Sequence, residues 1–338
     1  MNYTERTMIE VLKTDDIENE IEWKEFLRNQ NNLFFDHKFI SYNDVFEKNI
    51  RWHHLKFKDK ELNKVVAVMI GCEINSGSDL TYVSCDGVSF GGFLWKKKID
   101  LLTYLDIINE FKKYLGKNNF KYCVLRNPPF LYNKAANEET EYALLKSGFT
   151  VTNISISNII DLEEFEFKKI SETKKRSIKK SSKDITVKII DEKPDKSNFR
   201  EYYNILLENR ELKNVSPTHS FDELIYLKNK LKDEIILFAA YIESKLVAIC
   251  VLFSINKDMI LNFYLACDDK FKMEGVSEYI LYKSIEWSKD NGYRYYDIGT
   301  SDTDGKLIAG LFAFKKKFLA NGFLRKTYEL KNLTNAKV

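Results

Sequence analysis

The segment of the chain best suited to chemistry lies at positions 272–277, where the sequence reads KMEGVS. It follows an apolar, strand-like run and comes directly before an amphipathic pattern typical of a helix. Glycine at position 275 would let the backbone approach a ligand closely, and the free N–H groups at a helix start bind anions. The residues expected to hold a pyrophosphate group, such as that of coenzyme A, are Lys272, Gly275, Val276 and Ser277. A helix start with a nearby lysine is the structural alternative.

A second feature is a run of positive charge between positions 168 and 183, with eight basic residues and one acid. If this run is helical, one face carries four cations at i, i+3, i+4 and i+7, which are Arg176, Lys179, Lys180 and Lys183. Beside a cleft between domains, Arg176, Lys180 and Lys183 would bind phosphates of a nucleotide-linked substrate or of RNA. A solvated connecting helix is the alternative.

The cysteines and histidines do not form a metal-binding pattern. Five cysteines, at positions 72, 85, 123, 250 and 267, are widely spaced in apolar segments without a CxxC pair, so we expect reduced core residues. The four histidines, at positions 37, 53, 54 and 219, provide neither an HExxH motif nor zinc-ligand spacing. We therefore expect no metal.

An internal repeat organises the chain around these motifs. Three short segments recur in the same order with nearly constant offsets: 64–68 (KVVAV) with 245–249 (KLVAI), 118–122 (NNFKY) with 291–295 (NGYRY), and 148–149 with 322–323, both Gly-Phe. Three ordered matches indicate a tandem duplication.

Each half predicts the same element order, namely a helix, two or three antiparallel strands, a long helix, a strand, a short helix and a final strand. The predicted helices cover 16–28, 99–115, 198–210, 275–289 and 309–318. The predicted strands lie near residues 55, 68, 82, 123 and 153 and over 235–242, 246–255, 260–267, 293–298 and 323–330. We predict an α/β fold with a first domain (1–162), a basic connecting helix (163–186) and a second domain (187–338).

Composition and charge exclude several classes of protein. With 44% hydrophobic and 14% aromatic residues, the 338-residue chain can bury cores for two domains and is not disordered. A formal charge of +3 does not indicate a dedicated nucleic-acid binder. The start of the chain lacks a run typical of a signal peptide, and the longest apolar run, 65–72, is too short for a membrane span. We expect a soluble, cytoplasmic protein.

In the order of its elements, each half resembles the GNAT acyltransferase fold. The outline of that fold is a strand, an [RKQ]-x-x-G-x-[GAS] loop, a helix, a strand, a helix, a Gly-Phe pair and a last strand. Two such units joined by a basic helix look like the Fem-type peptidyltransferases and related tandem GNAT-like proteins. The resemblance covers almost the whole chain. It implies two tandem GNAT-like domains with mixed, largely antiparallel sheets and flanking helices, and it implies acyl transfer to an amine.

The most specific part of the resemblance is the segment 310–318 (GLFAFKKKF), which is similar to the G-L-x-x-F-K-x-x-F segment of that group. There the Phe-Lys pair lies by the reacting acyl group, and the resemblance assigns that place to Phe314 and Lys315. Acyl transfer to an amine passes through a tetrahedral oxyanion, which a fixed cation stabilises. The alternative is that Leu311, Phe314 and Phe318 form the core stripe of a short helix beside solvated lysines.

One part of the family pattern is missing. The segment 123–129 (CVLRNPP) looks like the V-L-R-x-D-P segment of the peptidoglycan-acting members, whose aspartate has been proposed as a catalytic base, but Asn127 and Pro128 stand there. This departure disfavours transfer of an amino acid onto a peptidoglycan precursor. No long helical arm for tRNA interrupts the second half, although small members of the family also lack it.

If the acceptor amine must lose a proton, a carboxylate or histidine near the cleft would accept it. The candidates are His219 and Glu223, in a loop that leads into a helix, and Asp297, at a strand end shortly before Gly299. Ser220 and Glu223 also have the spacing of a capping box, which needs no catalytic role. A turn-forming aspartate is the alternative for Asp297.

The first half carries GVSFGGF at positions 87–93, where the second half has its phosphate loop, but without an equivalent lysine. This asymmetry predicts a first domain that shapes the acceptor pocket. The lining residues expected there are Phe90, Gly91, Gly92 and Arg126. Similar S-[YF]-G-G segments occur in tandem GNAT-like proteins of surface-polysaccharide loci, and a glycine-rich hairpin is the structural alternative.

Motifs and resemblance together predict an N-acyltransferase with the acyl donor on the second domain and the acceptor on the first. It would move an acyl group from acyl-CoA, such as acetyl-CoA, to an amine of an activated sugar or another cell-envelope precursor. The expected partner is a small-molecule or nucleotide-linked acceptor, with tRNA as the alternative, and the oligomeric state stays open. Two other functions remain: a Fem-type aminoacyl-tRNA-dependent transferase acting on a peptidoglycan precursor, and a non-catalytic binding protein on the same fold.

Overall fold

Two units, each with its own hydrophobic core, make up the chain. A computed structural model describes residues 8–333 apart from positions 47, 78, 85–86, 98, 134–137, 191–194, 304 and 332. Unit 1 comprises Met1–Ser155 and Leu324–Val338, and unit 2 comprises Ile156–Phe323. This division differs from the predicted ranges 1–162, 163–186 and 187–338, because the basic segment belongs to unit 2 and the last strand enters unit 1.

The bounds of the described elements are as follows. In chain order the strands are β1 (Ile9–Thr14), β2 (Arg51–Trp52), β3 (His54–Asp59), β4 (Lys64–Ile70), β5 (Cys72–Ser76), β6 (Asp79–Val83), β7 (Gly92–Trp95), β8 (Phe120–Asn127), β9 (Thr150–Asp161), β10 (Ile185–Ile189), β11 (Ile235–Ile242), β12 (Lys245–Ser254), β13 (Met259–Cys267), β14 (Tyr295–Thr300), β15 (Asp302–Thr303), β16 (Lys306–Leu307) and β17 (Asn321–Lys331). The α-helices are α1 (Ile21–Asn29), α2 (His37–Ile40), α3 (Tyr42–Val45), α4 (Leu101–Lys117), α5 (Glu139–Lys146), α6 (Glu172–Ser181), α7 (Lys196–Glu211), α8 (Phe221–Lys230), α9 (Val276–Asp290) and α10 (Ala309–Lys316). Short 3₁₀ turns cover Leu33–Phe35, Phe130–Tyr132, Phe167–Lys169 and Asp269–Glu274.

The predicted helices and strands are confirmed within a few residues, since local pattern and capping determine them. In α9 the buried residues Val276, Ile280 and Leu281 recur on one side of the helix, as an amphipathic stripe requires. Asp195 caps α7, because its carboxylate accepts a hydrogen bond from the Asn198 amide at 2.8 Å. The basic run does form a helix, α6.

Unit 2 is built on a mixed sheet with the order β10-β11-β12-β13-β14-β9. Neighbouring strands are antiparallel except β13 and β14, which are parallel. Strands β11 and β12 are buried almost throughout, so their apolar runs do not alternate. Helix α9 packs against β11 to β13 and closes the core with Ile178 of α6.

Unit 1 contains a four-stranded sheet, β1-β3-β4-β7, and a second run of strands, β17-β8-β6-β5-β2. Helix α4 places Ile107, Ile108 and Phe111 in the shared core. The glycine segment 87–93 does not lead directly into this helix, because its last two residues, Gly92 and Phe93, begin strand β7 and α4 starts only at Leu101. The N-cap of α4 is Asp100, whose carboxylate accepts from the Thr103 amide at 3.1 Å.

The thiols and helices bear on two further expectations. Cys72, Cys123, Cys250 and Cys267 are buried and form no disulfide among the described residues, as predicted, and Cys85 lies outside the described residues. Among the helices that the structure describes, none combines the length and the apolar character needed to cross a membrane.

Two adjacent histidines are buried in unit 1. His53 is held on both ring nitrogens, with Nδ1 2.7 Å from Glu73 Oε1 and Nε2 2.7 Å from the Tyr114 hydroxyl. His54 is 2% exposed and its ring stacks on Trp52 with the centroids 5.0 Å apart. Burial, and secondarily the neighbouring His53, lowers the pKa of His54 to about 3.

We predict that His54 makes stability depend on pH on the acid side of neutrality. The folded state keeps His54 neutral while the unfolded chain protonates it near pH 6.5, so stability is lost as the pH falls from there toward 3. The loss is at most about 1.4 kcal/mol per pH unit. Replacing His54→Phe, which retains a flat ring against Trp52, should flatten the dependence by about one proton in urea unfolding between pH 7 and 4. The control His37→Gln should leave it unchanged, and a variant slope equal to the parent slope would contradict the prediction.

Candidate functional site

The strands β13 and β14 begin side by side in parallel and then part. Residues 259–261 pair with residues 295–297, and the described pairing ends at Leu261 and Asp297 although both strands continue. On its other edge β13 bulges at Phe263, where its register against β12 shifts by one residue. We call the opening beyond Leu261 and Asp297 the fork. Backbone groups along the fork leave the ladder and need other partners.

Lys315 of α10 supplies one such partner. Its side chain is 4% exposed, and its Nζ donates to the carbonyl oxygens of Gly299 at 2.8 Å and Thr300 at 2.6 Å. Burial lowers the pKa of Lys315 to about 8, while the charges of Asp297 and Asp302 oppose that shift. A buried, oriented ammonium therefore lies at the β14 side of the fork.

Asp297 holds the backbone that Lys315 contacts. This carboxylate is 1% exposed and accepts hydrogen bonds from the Ser157 hydroxyl at 2.9 Å and from the Gly299 amide at 2.7 Å. Gly299 has a φ of +83°, a conformation that strains other residues. Asp297 thus shapes the turn at the end of β14, which the sequence analysis gave as its alternative role.

A buried polar network lies at the base of the fork, and the sequence analysis missed it. The Tyr296 hydroxyl lies 2.7 Å from the Ser284 hydroxyl and accepts from Asn262 Nδ2 at 3.0 Å. The other amide atom, Asn262 Oδ1, is buried without a hydrogen-bond partner. The sequence indicates this network by an asparagine inside the apolar strand MILNFYLAC, because a buried polar side chain normally has a hydrogen-bond partner.

The predicted phosphate loop lies at the start of α9, but another helix contacts it. Gly275 has a φ of +73°, and a Cβ there would lie 2.3 Å from Ser177 Oγ and 2.6 Å from Ser181 Oγ of α6. The Ser181 hydroxyl donates to the Glu274 carbonyl at 2.6 Å. Glycine at 275 therefore permits close packing of α6, in addition to any role toward a ligand.

The other three residues of the predicted loop differ in exposure. Lys272 is exposed and its Nζ lies 3.5 Å from Asp269 Oδ1, while Val276 is buried. The Ser277 hydroxyl hydrogen-bonds the thiol of Cys267, whose pKa burial raises to about 11. The N-cap residue of α9 is Gly275, which has no side chain with which to cap the helix.

Two cations of the basic helix are paired with acids near the start of α9. Lys174 forms an ion pair with Glu278 and lies 4.3 Å from the ring centroid of Phe314, and Lys180 Nζ lies 3.2 Å from Glu274 Oε2. Arg176 is exposed. Lys183 lies beyond the helix, which ends at Ser181, so the predicted face of four cations is shorter than expected.

His219 is buried against β13. It is 1% exposed, and its Nδ1 lies 2.9 Å from the Tyr264 hydroxyl, which also accepts from the His219 amide at 3.1 Å. The Tyr203 hydroxyl donates to the His219 carbonyl at 3.0 Å. Burial raises the pKa of Tyr264 to about 12, so this hydroxyl keeps its proton at neutral pH.

Glu223 forms the capping box that its spacing predicts. Its carboxylate accepts from the Ser220 amide at 2.7 Å, and the Ser220 hydroxyl accepts from the Glu223 amide at 3.3 Å. This capping role is confirmed. The carboxylate thereby orders the start of α8.

A basic cluster that the sequence analysis did not identify lies beside Tyr264. The Arg210 guanidinium is 5.6 Å from the Tyr264 ring centroid, and Lys213 Nζ donates to Asn209 Oδ1 at 2.8 Å. Desolvation, then the charges of Arg210 and Lys272, lower the pKa of Lys213. Within the described parts of the chain, no carboxylate forms an ion pair with Arg210 or Lys213. Positive charges that lie close together repel each other, and a bound anion would reduce that repulsion.

The residues predicted in the first half come together in unit 1. The Gly91 amide donates to the Arg126 carbonyl at 3.0 Å, and the Arg126 side chain is exposed. Phe90 is 2% exposed and packs edge-on against Phe34 with the centroids 4.8 Å apart, so it is a core residue. A Cβ on Gly92 would lie 2.2 Å from Asn127 Oδ1, which is buried without a hydrogen-bond partner.

Solved structures with similar folds include members of three groups. FemX matches 95% of this chain and 97% of its own length, with 10% identity and a TM-score of 0.66. L-PGS from Bacillus licheniformis matches 94% and 92%, with 13% identity and a TM-score of 0.57. A tandem GNAT protein from the clavulanic acid biosynthesis pathway matches 96% and 98%, with 8% identity and a TM-score of 0.56. No protein-family model and no curated protein matches the chain in sequence.

These likenesses establish the fold. The chain consists of two tandem GNAT-like units of mixed α/β structure, as its sequence predicts. In the described segments no group of three or more His, Cys, Asp or Glu side chains is placed to hold a metal ion. Because identities of 8–13% support the fold alone, the chemistry has to be argued from the fork.

We predict that Gly275→Ala destabilises unit 2 more than Gly292→Ala does. Both glycines have positive φ, +73° and +82°, so alanine strains both backbones by about 1–2 kcal/mol. Only at 275 would the new Cβ also collide with the serine hydroxyls, whereas nothing lies within 4 Å at 292. We expect a further loss of about 1–3 kcal/mol in urea unfolding. Removing both hydroxyls, with Ser177→Ala and Ser181→Ala, should recover part of it, and equal losses at the two glycines would show that α6 does not pack closely.

Proposed function

We propose that this chain is an acyltransferase that moves an acyl group from acyl-CoA onto an amine of an activated sugar or another cell-envelope precursor. The observation that carries the proposal is the buried ammonium of Lys315 at the fork. Acyl transfer develops negative charge on the carbonyl oxygen, and a preorganised cation in a site that excludes water stabilises it strongly. Phe314 precedes Lys315 on α10 and would face the same acyl group.

The hydrogen bonds of Lys315 suit this role. An ammonium has three N–H donors, and Lys315 gives two of them to the carbonyls of Gly299 and Thr300. Among the described residues no third acceptor is present, which leaves one donor for the oxyanion. Because the two carbonyls fix the direction of the third N–H bond, the cation needs little reorganisation during the reaction.

Acyl-CoA as donor is supported by the loop before α9. Lys272 and Gly275 precede α9, and Val276 and Ser277 are its first two residues. The N-cap, Gly275, has no side chain to occupy the free N–H groups, and such a helix start favours a pyrophosphate group. The acids Glu274 and Glu278 flank this position, but Lys180 and Lys174 pair with them. Aminoacyl-tRNA remains the competing donor, and the FemX-like fold is the observation that favours it.

The acceptor would carry an anionic group. Arg210 and Lys213 lie close together beside Tyr264 of β13, and a phosphate of a nucleotide-linked acceptor would offset the repulsion between them. Exposed cations of the basic segment, Arg176, Lys180 and Lys183, would add to this attraction. The first-half residues Phe90, Gly91, Gly92 and Arg126 stay our proposal for shaping the pocket of the acceptor.

His219 is our choice for the base. Glu223 already caps α8, and Asp297 already holds Ser157 and the Gly299 amide. His219, in the loop before α8, is hydrogen-bonded to the Tyr264 hydroxyl of β13, and such a pair can pass a proton from the acceptor amine to the imidazole.

Binding of coenzyme A distinguishes the acyl-CoA proposal from the aminoacyl-tRNA proposal. Coenzyme A and acetyl-CoA should raise the melting temperature of the native protein by mass action. Lys272→Gln should reduce this rise, because an ammonium near the pyrophosphate is removed. The control Lys289→Gln, at the far end of α9, should not reduce it. No rise at millimolar coenzyme A, together with binding of charged tRNA, would replace acyl-CoA by aminoacyl-tRNA as the donor.

The catalytic prediction concerns Lys315→Met, which keeps the side-chain length and removes the charge. We expect kcat to fall by roughly a hundred- to a thousand-fold, with donor affinity nearly unchanged, because the contact acts in the transition state. Since Lys315 has a pKa of about 8 and is charged below it, the parent enzyme should lose its Lys315-dependent rate above pH 8. The variant should lack this alkaline decline. The control Lys316→Met should behave like the parent, and a normal kcat for Lys315→Met would refute the oxyanion role.

A further inference from the structure

A cavity of about 610 Å³ opens in unit 1, away from every residue assigned above. It lies between helix α1, the start of β4 and the segment that follows β7, and we call it the α1 pocket. Its lining is mixed in polarity, with Phe26 and Val65 as the apolar side chains among the described residues. The volume falls in the range of roughly 300–1,000 Å³ that holds a small organic molecule.

Three lysines meet at the sheet end that forms one wall of the pocket. Lys64 opens β4, and Lys96 and Lys97 follow β7, the antiparallel neighbour of β4. The Lys96 amide donates to the Val66 carbonyl at 2.8 Å, which brings the two segments together. Across the described residues none of these three lysines forms an ion pair with a carboxylate.

The acids of the pocket do not cancel this charge. Glu22 is already bound by two other cations, with its carboxylate oxygens 2.7 Å from Lys56 Nζ and 2.8 Å from Lys58 Nζ. Those hydrogen bonds lower the pKa of Glu22 and keep it ionised. Glu25 is the remaining acid in the lining, so the pocket has three unpaired cations against one unpaired anion.

Gln30 presents a polar side chain in the lining of the α1 pocket. It is 6% exposed and lines the pocket, and its backbone amide is used to close α1 on the carbonyls of Phe26 and Leu27. Its side-chain amide makes no hydrogen bond with any residue that the structure describes. An amide that lines a cavity without a protein partner is available to hydrogen-bond a bound molecule.

We infer that the α1 pocket binds a small phosphorylated, hydroxyl-rich molecule such as a sugar phosphate. Lys64, Lys96 and Lys97 bind the phosphate, whose two negative charges match several cations better than a single carboxylate would. Gln30 hydrogen-bonds a hydroxyl of the same molecule, because its amide both donates and accepts. The cavity is too large for inorganic phosphate alone. This inference does not depend on the transferase proposal, since none of the proposed catalytic residues lies in the pocket.

The test is calorimetric titration of the full chain with three probes, glucose 1-phosphate, glucose and inorganic phosphate. We expect glucose 1-phosphate to bind more tightly than the other two, and its affinity to fall as salt screens the lysines. The double variant Lys96→Gln/Lys97→Gln should weaken its binding by about tenfold or more. The matched control Lys117→Gln/Lys146→Gln, two exposed lysines of unit 1 outside the lining, should bind as the parent does.

A further variant tests the hydroxyl contact. Gln30→Met fills the same space without the amide, so it should weaken glucose 1-phosphate while inorganic phosphate binds as before. Equal binding of glucose 1-phosphate and inorganic phosphate, unaffected by Gln30→Met, would overturn the inference in favour of a simple anion site. Absence of binding by all probes to folded parent protein would also overturn it. These titrations contain no acyl donor and measure no acyl transfer. Neither result therefore tests the transferase proposal, which has its own experiments.

Discussion

The contact between the Lys315 ammonium and the carbonyls of Gly299 and Thr300 is the interaction on which the proposed site depends. These carbonyls lie where β14 has parted from β13, so they need a donor other than that strand. Burying a lysine ammonium is unfavourable, and this desolvation lowers the pKa of Lys315 to about 8. The fork and the cation therefore stabilise each other, and the same arrangement directs a charged donor toward a reacting carbonyl.

Asp297 extends this arrangement to a distant part of the chain. Its carboxylate is held by Ser157 of β9, which lies 140 positions earlier, and by the Gly299 amide of its own turn. The charge of Asp297 also favours the ammonium form of Lys315. A residue that first suggests a catalytic base thus acts by positioning others. That division of labour is common where buried charges must be paired and hydrogen-bonded.

The distribution of positive charge shows why a run of lysines is a weak guide to a binding site. Helix α6 is the most basic segment, yet Lys174 and Lys180 are paired with acids that lie about a hundred positions away in sequence. Among the described residues, cations without an ion pair also include some that stand out little in the sequence, such as Arg210 and Lys213 beside Tyr264 and Lys96 beside the α1 pocket. Pairing depends on partners that the tertiary structure brings together, and the net charge of a segment does not include them.

The sequence by itself determined the elements and their repetition. Apolar periodicity placed α7, β11 and α9 within a few residues, and the spacing of Ser220 and Glu223 predicted the capping box, because each depends on neighbours within about four positions. The tertiary structure decided the rest. It placed the end of the glycine segment in β7, carried the last strand into unit 1, packed α6 onto Gly275 and left Asn262 without a partner for Oδ1 among the described residues. These features arise from contacts between residues far apart in the chain, and local periodicity does not predict which distant residues come into contact.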